Sequence, residues 1–428
     1  MAREITLNHI AKIEGHAHLD LKIEKNKVIE CKLKAAEGAR FFEALVVGKH
    51  VEDVQEIVSR ICGICSSSHT VASILGLEEA LKIKPTAQQT FIREMLMLGE
   101  RIRSHATHLY FLSLPDYFGA ESVLDLGPEH RGKIDDALKM ITVGNKIVET
   151  FGGREMHPFL KVKEELGEFD TDGLLKSLGG IKSVVRKTID LFAGIDYLKI
   201  ERDADYLCLH EGRVYANISG KIVSNTGKFE DDDYKKHLEE NVKEYATSKF
   251  VLKNGKPYML GAQARVNNNH VQLDHETKGV LMEVMDKLKL NFPLNDPHYN
   301  LICQAIEILQ AVNRTIALIE KAPKKEDVKK VLIRAGKGVS SVEAPRGTLF
   351  HEYILDKDGK VTYCNIITPT AQNLNMMEAD IVRLVDLLLE EGGHSKKDIV
   401  SGVEKLIRAY DPCFSCSTHF LTVDWNNF

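Results

Sequence analysis

At roughly 150 residues per domain, the 428-residue chain has length for about three domain-sized units and can bury a large core without covalent staples. Its 43% hydrophobic and 28% charged residues exclude a disordered or fibrous chain, and a net charge of −5 gives no electrostatic case for nucleic acid or an anionic membrane surface. No apolar run reaches the ~18 residues of a membrane span, and the opening Met1-Ala2-Arg3-Glu4 has no apolar signal core. A cytoplasmic protein with no membrane span is expected.

The first elements along the chain read as strand. Leu19, Leu21 and Ile23 alternate with polar residues, Lys25-Asn26-Lys27 turns the chain, and Ile29, Cys31 and Leu33 resume the alternation, predicting a hairpin over 17–35. Helical spacing follows over 51–58 and about 67–82. The longest helical pattern covers 86–113, where Thr86 with Gln89 fits a capping box and Ile92, Leu96, Gly99, Ile102, Ala106 and Leu109 share one face. Pro115 is expected to end it, after a span of ~40 Å. Further helices are predicted near 134–151, 174–193, 274–290, 298–321, 371–391 and 397–409. Asn254-Gly255 predicts a hairpin around 249–266 that pairs Lys249-Phe250-Val251-Leu252 with Tyr258-Met259-Leu260, and Asp358-Gly359 predicts another around 348–367. Residues 163–173 and the Asp231-Asp232-Asp233 run read as surface loops. The expected class is α+β, mainly helical: a core bundle of long helices with peripheral β-hairpins.

Eight cysteines are too few for a disulfide scaffold. Four of them form two Cys-x-x-Cys pairs near opposite ends of the chain. The first lies in Arg60-Ile61-Cys62-Gly63-Ile64-Cys65-Ser66-Ser67-Ser68-His69, the second in Asp411-Pro412-Cys413-Phe414-Ser415-Cys416-Ser417-Thr418-His419. Each pair can point two thiolates at one ion from a single turn, and together they make a four-sulfur site. A structural zinc ion fits that spacing. So do redox-active nickel and iron, which also take soft thiolates. A thioredoxin-type redox site needs one pair, not two.

Arg-x-Cys-Gly-x-Cys-x-x-x-His with Asp-Pro-Cys-x-x-Cys-x-x-His resembles the large, catalytic subunit of nickel–iron hydrogenases. The resemblance runs from Ile13-Glu14-Gly15-His16 to His419. Arg40-Phe41-Phe42-Glu43 and Ile366-Ile367-Thr368-Pro369-Thr370 look most like the cytoplasmic multisubunit branch. It implies reversible cleavage of dihydrogen at a nickel–iron centre, Ni-Fe(CO)(CN)2. By position, Cys62 and Cys413 match the terminal nickel ligands, and Cys65 and Cys416 match the thiolates bridging nickel to iron. His69 matches a histidine that hydrogen-bonds a bridging sulfur. Glu14 matches the carboxylate that carries protons away from Cys413; splitting dihydrogen heterolytically leaves a proton that a base must take. Arg346, in Glu343-Ala344-Pro345-Arg346-Gly347, matches a guanidinium over the open side of the metals, with Pro345 beside it and Asp116 and Asp411 orienting it. Glu43 and His419 match ligands of a magnesium or similar divalent ion, with a carbonyl near Asn365. Many family members read Val-Val-Pro-Ser/Thr-Thr-Trp where this chain reads Ile366-Ile367-Thr368-Pro369-Thr370-Ala371, so the donor to a cyanide differs; Thr370 is the candidate.

Residues 1–419 are expected to form one interdependent body. The resemblance implies that a maturation endopeptidase removes residues 420–428 after nickel insertion. Cys31, Cys208, Cys303 and Cys364 are not paired at iron–sulfur spacing and read as small buried hydrophobes. No Gly-x-Gly-x-x-Gly follows a strand, so no nicotinamide is expected on this chain. Electrons must therefore leave through partners. The resemblance implies an iron–sulfur small subunit, with flavin and further iron–sulfur electron-transfer subunits. The alternative is a hydrogen-sensing regulatory subunit; sensors usually lack a processed tail.

Overall fold

The computed structural model describes residues 3–35, 38, 41–162, 169, 171–326 and 331–418; His419 and the tail 420–428 lie outside them. The long helix Ala87–Thr107 is capped as expected: the Thr86 side chain accepts from Gln89 N, and the Gln89 side chain accepts from Thr86 N. Its apolar face, including Ile92, Leu96, Ile102 and Ala106, is fully buried in the principal core. The helix Arg131–Gly152 crosses it where two glycines meet. A Cβ on Gly99 would lie 2.9 Å from the Gly144 carbonyl, and one on Gly144 would lie 2.7 Å from the Gly99 carbonyl, so any side chain would force the helices apart. Helices Asp172–Ala193 and Asn300–Ile319 complete this bundle. The last is long and apolar enough to resemble a membrane span, but its buried Gln304, Glu307 and Gln310 all have polar partners inside the protein.

Pro115 does not end the long helical path. Residues His108–Ser113 widen into a π-helix, and Pro115 then sits in the first turn of Leu114–Tyr117, where its missing N–H leaves no gap. The predicted 17–35 hairpin is present as Ala17–Glu24 paired with Lys27–Ala35, and Arg3–Leu7 adds an edge strand. The 348–367 hairpin is also present, as Gly347–Leu355 with Val361–Ile367. A third strand, Gly336–Ala344, which sequence reading missed, pairs on its other side. Ala344 faces Gly347, so Pro345 and Arg346 form the two-residue tip of that hairpin.

The Asn254-Gly255 turn forms, with both residues at positive φ. Its strands do not pair as predicted. Lys249–Lys253 pairs with Leu238–Val242, while Met259 bridges Tyr206 and residues Ala262–Asn269 form a helix. Tyr258, Met259 and Leu260 are all buried, and a continuous apolar run has no solvent face to present at a hairpin edge. Asp231–Lys236 is a 3-10 turn anchored by buried Tyr234 rather than an open loop.

Two packings place the functional loops. The strand Gly336–Ala344 lies directly on the helix Ser66–Leu81, where a Cβ on Gly338 would come within 2.1 Å of the Gly76 carbonyl. This sets the Arg346 tip beside the first thiol pair. The N-terminal sheet packs on the helix Pro369–Glu391, whose Glu378 and Asp386 accept from Leu33 N and Val28 N. After the helix Lys396–Ala409, the chain returns to Glu14, which forms a parallel bridge with Cys413.

Candidate metal centre

Cys62 follows the 3-10 turn Ser59–Ile61, and Cys65 caps the N-terminus of Ser66–Leu81. Cys413 is extended, and Cys416 lies in the short turn Phe414–Ser417. The four sulfurs lie within 4.8 Å of one another, all buried and none in a disulfide. Cys62 Sγ is 3.5 Å from Cys413 Sγ, and Cys65 Sγ is 3.1 Å from Cys416 Sγ. Sharing hydrogens with Cys413, Cys416 and Cys65 holds the Cys62 thiol well below its ordinary range. Burial, then contact with the other thiols, pushes Cys413 well up, and burial pushes Cys416 up too. Metal binding here would displace the thiol protons, and the four thiolates it leaves at this spacing need cations between them. Glu100 supports the first pair from below: its carboxylate accepts from Ser67 N at 2.6 Å and Ser68 N at 3.1 Å, occupying the open end of the helix.

Arg346 reaches this cluster from the hairpin tip. Its Nη2 donates to Asp411 Oδ1 at 2.8 Å and its Nε to the Asp411 carbonyl at 2.7 Å. Asp411 is held in turn by Gln304 Nε2 at 3.0 Å. Arg346 Nη1 is buried with no partner among the described residues. A cavity of about 10 Å³ lies beside the sulfurs, lined by Ala344, Pro345, Arg346, Leu349, Pro369 and Thr370 together with Cys65, His69, Cys413 and Cys416. Thr370 Oγ1 accepts from Cys413 N at 2.9 Å. Soft thiolates, apolar walls and one unspent guanidinium nitrogen suit a soft metal pair carrying small acceptor ligands.

Glu14 stands where expected, with Oε2 2.8 Å from Cys413 Sγ. Burial and the neighbouring Cys62 charge raise its carboxyl above the ordinary range, so it can hold a proton. Asp116 is placed otherwise than expected. It makes no ion pair with Arg346; its carboxylate pairs with Arg408, at 3.0 Å through Nη2, and with Lys12. Arg408 precedes Asp411 and accepts from its N–H, so Asp116 braces the segment that carries Asp411 and leaves the direct grip on Arg346 to Asp411. Glu43 Oε1 accepts from Ile366 N at 2.8 Å and from Lys249 Nζ at 3.1 Å, and the same ammonium reaches Asn365 Oδ1 at 3.0 Å and Glu240 at 2.7 Å. His419 lies outside the described residues.

Sequence reading missed the residues behind these. Arg265 is fully buried, pairs with Glu307 and Glu343, and donates to the Ala344 and Pro345 carbonyls. Arg101 donates to the Glu343 carbonyl at 2.7 Å. Together they fix the strand end just before Arg346. Glu307 inside the apolar run Leu301–Val312 was the available signal, because a charge within a core helix needs a buried partner. His351 contacts His69 at 3.1 Å.

The sequence profile of the nickel-dependent hydrogenase family matches residues 40–177 and 214–419. The chain belongs to that family. It is similar to the sulfhydrogenase 1 subunit alpha of Pyrococcus furiosus, 34% identical over 428 residues that cover 97% of each protein. The NAD-reducing hydrogenase HoxS subunit beta of Cupriavidus necator is 28% identical, covering 98% of this chain and 96% of that one. Among solved structures, an NAD+-reducing nickel–iron hydrogenase chain superposes with a TM-score of 0.84 at 21% identity, covering 97% of this chain and 99% of that chain. The Ni-Fe-Se hydrogenase of D. vulgaris Hildenborough gives 0.79 at 22%, covering 98% and 100%. These structures share the large-subunit fold. The chain is a catalytic hydrogenase subunit, an oxidoreductase acting on hydrogen, and its four-cysteine cluster is the place for a nickel–iron centre.

Proposed function

We propose that this chain catalyses the reversible heterolytic cleavage of dihydrogen to two protons and two electrons and hands the electrons to an iron–sulfur small subunit. The observation that carries this is the cluster of four buried sulfurs, with Arg346 lining the cavity beside three of them and Glu14 in contact with the Cys413 sulfur. By the resemblance we read Cys62 and Cys413 as terminal nickel ligands and Cys65 and Cys416 as bridges, and four sulfurs within 4.8 Å of one another can share one metal pair. When bound, the metal pair supplies the two-electron acceptor for dihydrogen. One carbon monoxide and two cyanides on iron suit the cavity walls at Ala344, Pro345 and Leu349, with Thr370 and Arg346 Nη1 as donors.

Cys413 takes the proton at its sulfur, and Glu14 relays it outward across the 2.8 Å contact. Arg346, anchored by Asp411, holds a fixed positive charge over the reacting side. Glu43 and Asn365 offer hard oxygen donors for magnesium with His419, and among the described residues Lys249 already supplies positive charge there, so an ion shares or displaces that ammonium. We further read residues 1–419 as one body, the tail as a substrate of a maturation endopeptidase, and the complex as cytoplasmic with flavin and iron–sulfur partners.

The test is hydrogen-dependent reduction of a viologen dye by the complex purified without oxygen, with elemental analysis. About one nickel and one iron per chain with activity is the expected result. Zinc alone, without activity, overturns the reading.

A further inference from the structure

The ion pair of Arg202 and Asp380 lies outside the groups that the proposed chemistry uses. Asp380 stands on the helix Pro369–Glu391, and Arg202 on the irregular stretch that precedes Tyr206. Arg202 Nε donates to both Asp380 oxygens, at 2.8 and 2.9 Å. Its Nη1 donates to Tyr206 Oη and to the Asn295 carbonyl, each at 2.9 Å, and its Nη2 donates to Tyr410 Oη at 3.3 Å. The Tyr410 hydroxyl donates in turn to Asp380, and the Tyr206 hydroxyl to the Leu294 carbonyl at 2.8 Å. All four side chains are buried. The directions follow from the groups: a guanidinium only donates, and a carboxylate or a carbonyl only accepts. Burial pushes the Tyr206 hydroxyl up to about 12 and that of Tyr410 well above its ordinary range, so each keeps the hydrogen it donates.

Of the two tyrosines, only Tyr410 belongs to the segment that carries the second thiol pair. Its neighbour Asp411 has φ 51°, in the left-handed region that residues other than glycine seldom adopt. That turn aims both groups that grip Arg346, the Asp411 carbonyl and Oδ1. The helix Pro369–Glu391 touches the turn twice. Near its start, Thr370 Oγ1 accepts from Cys413 N; roughly 15 Å further along, Asp380 holds Tyr410. The two contacts fall on either side of Asp411 and Pro412. A buried ion pair often adds little net stability over apolar packing, because its charges give up their hydration. Here it adds a fixed acceptor and a fixed donor for one hydroxyl.

We propose that Arg202 and Asp380 are positioning residues that hold Tyr410 by its hydroxyl and so keep the Asp411 turn in the conformation that grips Arg346 and presents Cys413. This rests on the reading of Arg346, Asp411 and Cys413 as parts of the reaction site.

The test compares Tyr410→Phe with Tyr206→Phe in the assembled complex. Each variant takes one buried hydroxyl from Arg202, but only the first hydroxyl leads to the turn. One readout is turnover per nickel with the KM for dihydrogen. The other is hydrogen–deuterium exchange at the Asp411, Cys413 and Phe414 amides, which donate to the Arg408 carbonyl, Thr370 Oγ1 and the Glu14 carbonyl. Tyr410→Phe should lower turnover per nickel by about 10-fold at unchanged KM, a fraction of what a 1 Å misplacement can cost. It should speed exchange at those amides by about 5-fold, the worth of one hydrogen bond. Tyr206→Phe should keep the parental values of both. Parental turnover per nickel or parental exchange in Tyr410→Phe overturns the proposal, as do equal changes in the two variants, which a merely structural ion pair would give. The exchange measurement needs no metal, so a variant that fails to load nickel is compared with the nickel-free parent and still decides. Absence of nickel and iron from the parent would defeat the proposed function, whereas exchange raised in Tyr410→Phe alone would still uphold the hold on the turn.

Discussion

Glu14 and Cys413 are joined through both backbone and side chain. They form a parallel bridge, and a Glu14 carboxylate oxygen lies 2.8 Å from the Cys413 sulfur. The backbone link holds the carboxylate against the thiol whatever its charge, so the pair is built for transfer rather than for storage of a salt bridge.

Glu14→Gln keeps that backbone link and removes the proton acceptor. Nickel and iron content should stay at the parental level while hydrogen oxidation falls by about 10²-fold or more. Parallel dye-reduction assays and elemental analysis check this, and a parental rate would end the assignment.

Arg346→Lys keeps the charge but cannot hold Asp411 through both Nε and Nη2. Turnover should drop by roughly 10²–10³-fold with metal retained, the range seen when an oriented donor is removed. Steady-state rates per nickel make the comparison.

Cys416→Ser should cost the chain its nickel and iron together, because its sulfur lies within 3.1 Å of both Cys65 and Cys413. Cys31→Ser, outside the cluster, should retain both metals. Elemental analysis of the two variants purified side by side decides it.

Arg265→Met strips the partner from two fully buried carboxylates, Glu307 and Glu343. Removing one member of such a network costs about 3–5 kcal/mol. Urea denaturation should show the loss. In any folded fraction the Ala344–Pro345 carbonyls would lose their anchor, and turnover should fall too.

Glu100 gives a pH signature in stability. Burial pushes its carboxyl up to about 6 from an ordinary 4.5. Between those values the folded chain keeps a proton that the unfolded chain has lost. The contribution is therefore complete below pH 4.5 and disappears as pH rises through 6, by about 2 kcal/mol in all. Denaturation midpoints of the parent minus those of Glu100→Gln, measured from pH 4.5 to 7, should fall across that window.

Local features of the chain were legible before the fold was seen. The capping box at Thr86 and Gln89, the helical face through Ile92 and Leu96, and the turns at Lys25-Asn26 and Asp358-Gly359 each depend on neighbours a few positions away. So does the geometry within each thiol pair. Partnerships across the chain were not legible. Nothing near Asp116 announces Arg408, nothing near Lys249 announces Glu43, and the turn at Asn254-Gly255 says that the chain reverses without saying which strand receives it. The His69–His351 contact was hidden for the same reason: each residue alone looks like a buried histidine, and only the packing of the strand Gly347–Leu355 near the helix Ser66–Leu81 brings their nitrogens together.

The distance along the chain between the two thiol pairs also sets a timetable. Cys62 and Cys413 are separated by 351 positions, and Glu14 and Cys413 by 399. At a ribosomal pace of ~5–20 residues per second, the first pair waits roughly 20–70 s for the second to be made. During that interval Cys62 and Cys65 are two thiols on a growing chain, open to oxidants and to stray zinc. Until the Phe414–Ser417 turn emerges, the second pair cannot join them, and the four-sulfur site is incomplete.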